Sequence, residues 1–171
     1  MDQKERDEFI KEWDREAQNT VRLLGTLPVG QYDFRPDQGG RSLGELAWHL
    51  AEVDAYISYG LENGRFDLAG QKPPGIERPK RIEELKSGYE RVHRDAVARV
   101  KKLGPDELER ELAFFDGKTH KTGDLLWVAI LHHLIHHRGQ LVLMCRLAGG
   151  CPTGLFGPTR EETAEMMKAR S

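Results

Sequence analysis

The sequence predicts an all-α fold, a helical bundle, on three observations. Four stretches of about twenty residues repeat apolar side chains at helical spacing. Cap and stop residues bracket those stretches, and the segments between them are rich in Gly, Pro and Asp. A chain of 171 residues suits one domain, residues 1–171, with a sizeable core.

The first helix is expected from about Asp2 to Leu24. Asp2 and Glu5 have the form of a capping box, Phe9, Trp13, Ala17, Thr20, Val21 and Leu24 make an inner stripe, and Gly25 with Pro28 marks the stop. Residues 25–41 read as a loop. The second helix opens at Ser42, with Glu45 three residues on, and runs to about Leu61; Leu46, His49, Val53 and Tyr56 share a face, flanked by Ile57. Residues 62–79 hold Asn63-Gly64, Gly70, Pro73-Pro74-Gly75 and Pro79. That connection is longer than neighbouring helices need, so it is expected to cross the bundle or shape a pocket.

The third helix spans about Lys80 to Leu103, with Leu85, Tyr89, Val92, Ala96, Val100 and Leu103 inward and Gly104-Pro105 as its stop. His93, at the margin of that stripe, is expected at or near the surface. Residues 105–121 break the helical pattern. Leu112-Ala113-Phe114-Phe115 before Asp116-Gly117 predicts a short extended or hairpin segment, with His120 a loop residue. The fourth helix runs from about Asp124 to Leu147, capped by Thr122 and ended by Gly149-Gly150. Its far side also carries Val128, Leu131, Ile135 and Val142, so another helix, the tail or a partner subunit should cover it. A short final helix is expected from about Glu161, capped by Thr159, and Phe156 is expected to anchor the tail on the bundle.

Composition excludes several function classes. Hydrophobic residues are 38%, charged residues 32% and the net charge −2, with no basic stripe or recognition element, so no nucleic acid partner is expected. No apolar run approaches the ~18 residues of a membrane span, and the charged start is no signal peptide. No membrane partner is expected, and the expected compartment is cytoplasmic. Cys145 and Cys151 are too few for a disulfide framework.

His132, His133, His136 and His137 put four of the chain's seven histidines into six consecutive residues. With His133 at zero, about 100° per residue places His137 at roughly 40° and His136 at roughly −60°. Leu126, Ala129, Ile130, Gln140, Met144 and Leu147 fall in that sector, so His133, His136 and His137 are expected to point inward; His132 sits near the edge and Arg138 near the back. Imidazoles four apart on one face can grip one metal ion, and they can equally be core histidines bonded to neighbours. No Glu follows the first of the pair, so the zincin motif is absent. His49 is the best third donor, with a core histidine as the alternative. Glu52, toward the edge, is expected as a solvated charge, with a role in orienting His49 as the alternative, and Gln140 could bond a ligand imidazole or another helix. Tyr56 is a core residue or a substrate contact. Arg138 is expected in a salt bridge or subunit contact, with a role near a substrate anion as the alternative.

These features together resemble the DinB-like family of damage-inducible metalloprotein bundles. The residues that carry the resemblance are Ser42-x-x-Glu45-Leu46-x-x-His49, His133-x-x-x-His137-Arg138-Gly139-Gln140, and Gly157-Pro158-Thr159-x-x-Glu162 in the tail. It implies a four-helix bundle with an up-down-down-up course, long crossover connections and a short C-terminal tail, a homodimer, and one divalent metal ion (Zn, Ni or Fe) held by His49, His133 and His137. Two positions depart from the family's pattern: Leu134 stands where relatives often carry an acidic or polar residue, and His132 where they often carry Asn.

Three imidazoles leave a divalent ion an open position for water or a thiol. By resemblance, the expected activity is a thiol-dependent S-transferase acting on small-molecule electrophiles in detoxification or stress response, with a low-molecular-weight thiol as second substrate. A metal-dependent hydrolase and a non-enzymatic metal-binding stress-response protein are the alternatives.

Overall fold

Capping decides where the long helices begin. In a computed structural model describing residues 1–67, 70 and 72–170, α1 (Gln3–Leu24) starts behind Asp2, whose carboxylate accepts from the Glu5 N–H while Glu5 accepts from Asp2 N–H. Ser42 and Glu45 do the same for α2 (Leu43–Asn63), which Gly64 ends at φ 69°, a left-handed conformation that suits glycine. No side chain caps α3 (Ile82–Lys101), which is shorter at both ends than expected.

Gly104-Pro105 does more than stop α3. Pro105, which has no N–H to leave unbonded, opens the short α4 (Pro105–Glu109). The predicted hairpin follows as β1 (Glu111–Ala113) paired antiparallel with β2 (Thr119–Lys121), Leu112 opposite His120. Gly117, at φ 77°, makes the turn. The last long helix is continuous but not uniform: α5 (Thr122–Leu125) leads into a π-helical segment, Leu126–His132, and then α6 (His133–Leu147). The final α7 (Arg160–Lys168) carries the Thr159–Glu162 capping box.

The core falls into two apolar clusters. One takes the second half of α1, the first halves of α2 and α3, and Leu134, Leu141, Met144 and Cys145 of α6. The other takes Phe9, Ile10 and Trp13 of α1, Ile57 and Leu61 of α2, Ala96 to Val100 of α3, and Leu125 to Leu131. Followed along the chain, α1 runs from the second cluster to the first, α2 and α3 run back, and the last helix returns. The course is therefore up-down-down-up, as the family resemblance implies.

Around the bundle, α1 packs beside α3 and the last helix, and so does α2. Successive α1 and α2 are diagonal. Residues 25–42 and 102–121 therefore make the two diagonal crossings, whereas 62–79, expected to cross or to shape a pocket, joins the neighbours α2 and α3. It runs beside α2, with Ile76 buried, its carbonyl accepting from Trp48 Nε1 at 3.3 Å, and Arg78 paired with Glu45 and Glu52. Positions 68, 69 and 71 of that connection lie outside the described residues. The first crossing is seated on α2 by Tyr32: its ring lies where a side chain at Gly44 would be, and its hydroxyl donates to Pro79 O at 2.7 Å.

Between the clusters the interior is polar. Asp54 accepts from Trp13 Nε1 at 3.1 Å and meets His93 Nδ1 at 2.8 Å, while His93 Nε2 meets Asp14 at 2.9 Å. His93 is buried, against the surface or half-buried position expected, because Asp54 is fully buried and the imidazole partners it. Arg138 and Glu16, both buried, form an ion pair between α6 and α1, and Arg138 also donates to Glu16 O at 2.6 Å. The salt bridge expected of Arg138 is present, deep inside.

On the last helix Ile135 and Val142 pack against the core, while Val128, Leu143 and Leu147 stay exposed. Leu155, not the expected Phe156, packs the tail onto the core; Phe156 is 73% exposed, with the Arg138 guanidinium 5.4 Å from its ring centroid. Among the described residues no helix is long and apolar enough to cross a membrane.

Candidate metal centre

Three of the predicted histidines converge. His49 stands on α2 between Trp48 and Leu50, whose full burial fixes the rotation of the helix. On α6 the buried residues are Leu134, Arg138, Leu141, Met144 and Cys145. Leu134, Arg138, Leu141 and Cys145 are spaced at four, three and four residues and take the stripe that faces the core. His133 and His137 therefore stand on its flank, where the last helix meets α2. This corrects the expectation that the histidines point inward with Leu126, Ala129 and Ile130. That reading assumed an unbroken advance of about 100° per residue, whereas a π segment bonds i to i+5 and turns less per residue.

One nitrogen from each of His49, His133 and His137 lies within 4.8 Å of the others. The ring centroids of His49 and His137 are 4.7 Å apart, those of His133 and His137 4.6 Å, and those of His49 and His133 5.7 Å. His49 and His137 are half-buried, and His133 is exposed to the cleft beside them. His136, expected inward, is exposed and bonded to Gln140 Nε2 at 3.1 Å; His132 is also exposed.

Neighbouring groups orient two of the three rings. His49 Nδ1 lies 3.1 Å from Glu52 Oε2, and Glu52 Oε1 accepts from Arg78 at 3.0 Å. Burial would raise the Glu52 pKa, but hydrogen bonds from His49 and Arg78 outweigh it and hold it below its ordinary value, so the group is a carboxylate. A carboxylate accepts from Nδ1–H on His49 and so fixes the orientation of that ring. Gln140 Oε1 does the same for His137, accepting from Nδ1 at 2.7 Å. Burial, then the neighbouring histidines and Arg41, push His133 down to about 4, and burial likewise lowers His137. Both are neutral near pH 7. Imidazole nitrogens brought together from two packed helices suit a divalent ion of the zinc, nickel or iron type.

The cluster opens onto a cavity of about 670 Å³. Val53, Tyr56 and Ile57 of α2, Ala129, and Phe114 and Phe115 beside the β1–β2 turn make its apolar wall, and Arg41, Glu52 and Asp116 its polar points. Tyr56 thus faces the cleft. The sequence reading missed Arg41 as a site residue, since an Arg in a Gly-rich loop carries no pattern. It also missed the phenylalanine pair, although two aromatics ahead of an Asp-Gly turn, where polar residues are usual, are a signal for a binding wall.

Residues 12–141 match the DinB superfamily. The chain is 29% identical over 160 residues to the uncharacterized protein YrdA of Bacillus subtilis (strain 168), covering 93% of this chain and 92% of that protein. Its fold is similar to that of a DinB-like protein from Bacillus subtilis (TM-score 0.71, 19% identity, 89% of this chain and 99% of the other). It is also similar to a DinB-like protein from Bacillus cereus ATCC 10987 (TM-score 0.69, 23% identity, 86% and 95%).

Proposed function

The chain belongs to the DinB superfamily, and on that premise we propose that it is a metal-dependent thiol S-transferase, joining a low-molecular-weight thiol to an electrophilic small molecule. The observation that carries this reading is a cluster of three imidazoles at the mouth of a largely apolar cleft. His49, His133 and His137 would hold one divalent ion. When bound, such an ion lowers the pKa of a coordinated thiol and so supplies a nucleophile at neutral pH. The chain's own residues do the rest. Glu52 and Gln140 hold the rings of His49 and His137, while Tyr56, Phe114 and Phe115 offer the electrophile a surface that excludes water.

A hydrolase would need a free general base in the cleft. Glu52 is bonded to His49 and Arg78, and Asp116 to His120 Nε2 and the Lys118 N–H, so both carboxylates there are engaged. This favours the transferase. Protein purified without an affinity tag should carry about one equivalent of divalent metal, and His137→Ala should lower metal affinity at least about tenfold, since losing even a group that only orients a ligand costs that much. Glutathione or bacillithiol given with monobromobimane should yield conjugate faster than the uncatalysed rate, and only with metal present. Turnover without thiol, or metal-free protein that is equally active, would sink the proposal.

A further inference from the structure

Arg41 is the cation in the cleft whose charge the fold leaves unused. It sits one residue ahead of the Ser42 cap, where the crossing loop meets α2. Other arginines nearby are committed: Arg35 to Glu45 and Gly40 O, and Arg78 to Glu45 and Glu52. Among the described residues, the Arg41 side chain has no hydrogen-bond or ion-pair partner. It is exposed, yet it lines the cavity that contains His49, His133, Tyr56 and the phenylalanine pair. It also lines the adjoining hollow beside Gln140 and Met144.

The carboxylates of the cleft do not neutralise it. Glu52 is turned to Arg78 and His49, and Asp116 to His120 and the Lys118 N–H. The lining of the cavity thus combines an open guanidinium and imidazoles with aromatic rings. A planar guanidinium with its donors free is matched by a carboxylate, which it can bind through two parallel hydrogen bonds. Phe114, Phe115 and Tyr56 match an aromatic or alkyl body.

We propose that the substrate taken by this cleft is an amphiphilic carboxylate, an electrophile whose acid group pairs with Arg41 while its apolar body lies against Tyr56, Phe114 and Phe115. The inference deepens the proposed function and rests on reading this cleft as the substrate site. A carboxylate could also come from the thiol partner, but thiols such as glutathione are polar throughout and leave the aromatic wall unused. Arg41 is a specificity-determining residue here, and the imidazole cluster is not needed for the pairing.

The test is calorimetric binding of three unreactive probes, 4-phenylbutyrate, 4-phenylbutyramide and S-methylglutathione. It uses wild-type protein, Arg41→Gln and Arg41→Lys, each both metal-free and zinc-loaded. Metal-free wild type should bind the phenylbutyrate about tenfold more tightly than the amide, the size expected of a charge-assisted hydrogen bond. Arg41→Gln should bring the two to equal affinity, and Arg41→Lys should keep part of the preference. Circular dichroism should show both variants folded, since the native side chain makes no bond to lose. Equal binding of acid and amide by the wild type would overturn the proposal, as would a preference that survives Arg41→Gln or appears only with zinc. S-methylglutathione binding more tightly than phenylbutyrate, and lost in Arg41→Gln, would assign the cation to the thiol and overturn it too. Zinc content of wild type and His137→Ala is read separately: failure to hold zinc counts against the metal-dependent transferase, not against the anion preference of the metal-free cleft.

Discussion

His93 shows how one buried side chain sets a pH dependence. Burial alone would lower its pKa, but hydrogen bonds and charges from Asp54 and Asp14 outweigh that effect, so the folded value lies above the ordinary 6.5. The stability this contributes is complete below about pH 6.5 and is lost as the pH rises through the folded value. The urea midpoint of the wild type should therefore fall as the pH rises above about 6.5, and His93→Gln should flatten that fall. An unchanged slope in the variant would mean that His93 is neutral in the folded protein. Legibility at this scale was uneven. His49, His133 and His137 could be read from helical spacing and family resemblance, whereas Gln140 was open between a ligand imidazole and another helix, and Glu52, expected as a solvated charge, proved to be bonded to His49. The environment of His93 could not be read, because Arg91, Arg94 and Asp95 beside it point to solvent, and the demand comes from Asp54, far away in sequence.

Among the elements, α2 was readily legible, since its start depends on two side chains three positions apart. Ser42 accepts from Glu45 N–H at 3.2 Å and Glu45 Oε2 accepts from Ser42 N–H at 2.8 Å. Ser42→Ala should cost about 1 kcal/mol. For a chain of this size that lowers the melting temperature by roughly 2–4 °C, measurable by differential scanning calorimetry. Metal stoichiometry should be unaffected, because His49 lies nearly two turns further in, beside Trp48 and Leu50. The uncapped α3 was legible only loosely, expected over 80–103 and observed over 82–101. The π segment gave no warning, having no Gly or Pro in Leu126–His132. Both departures follow from physics that periodicity omits: terminal hydrogen bonds in the first case and a change of winding in the second.

For the molecule as a whole, the sequence specified four helices and the core faces of the first three, but neither the face of the last nor the arrangement around the axis. Loop length suggested that 62–79 crosses the bundle or shapes a pocket; the crossings belong to 25–42 and 102–121, since α2 and α3 are neighbours. The Arg138–Glu16 ion pair then ties the last helix to the first. Arg138→Ala should destabilise the protein by about 3–5 kcal/mol, because it strands a buried Glu16 carboxylate. Arg138→Met combined with Glu16→Leu should recover much of that loss, as read from urea unfolding.

The division of labour in the cleft has an evolutionary consequence. The three imidazoles stand on two helices locked together by the core, while Arg41 belongs to a crossing loop and the phenylalanine pair to a hairpin at the rim. Changes in those two peripheral segments can reshape the wall of the cleft while the three histidines stay where the core holds them, so the lining and the imidazole cluster are free to vary separately.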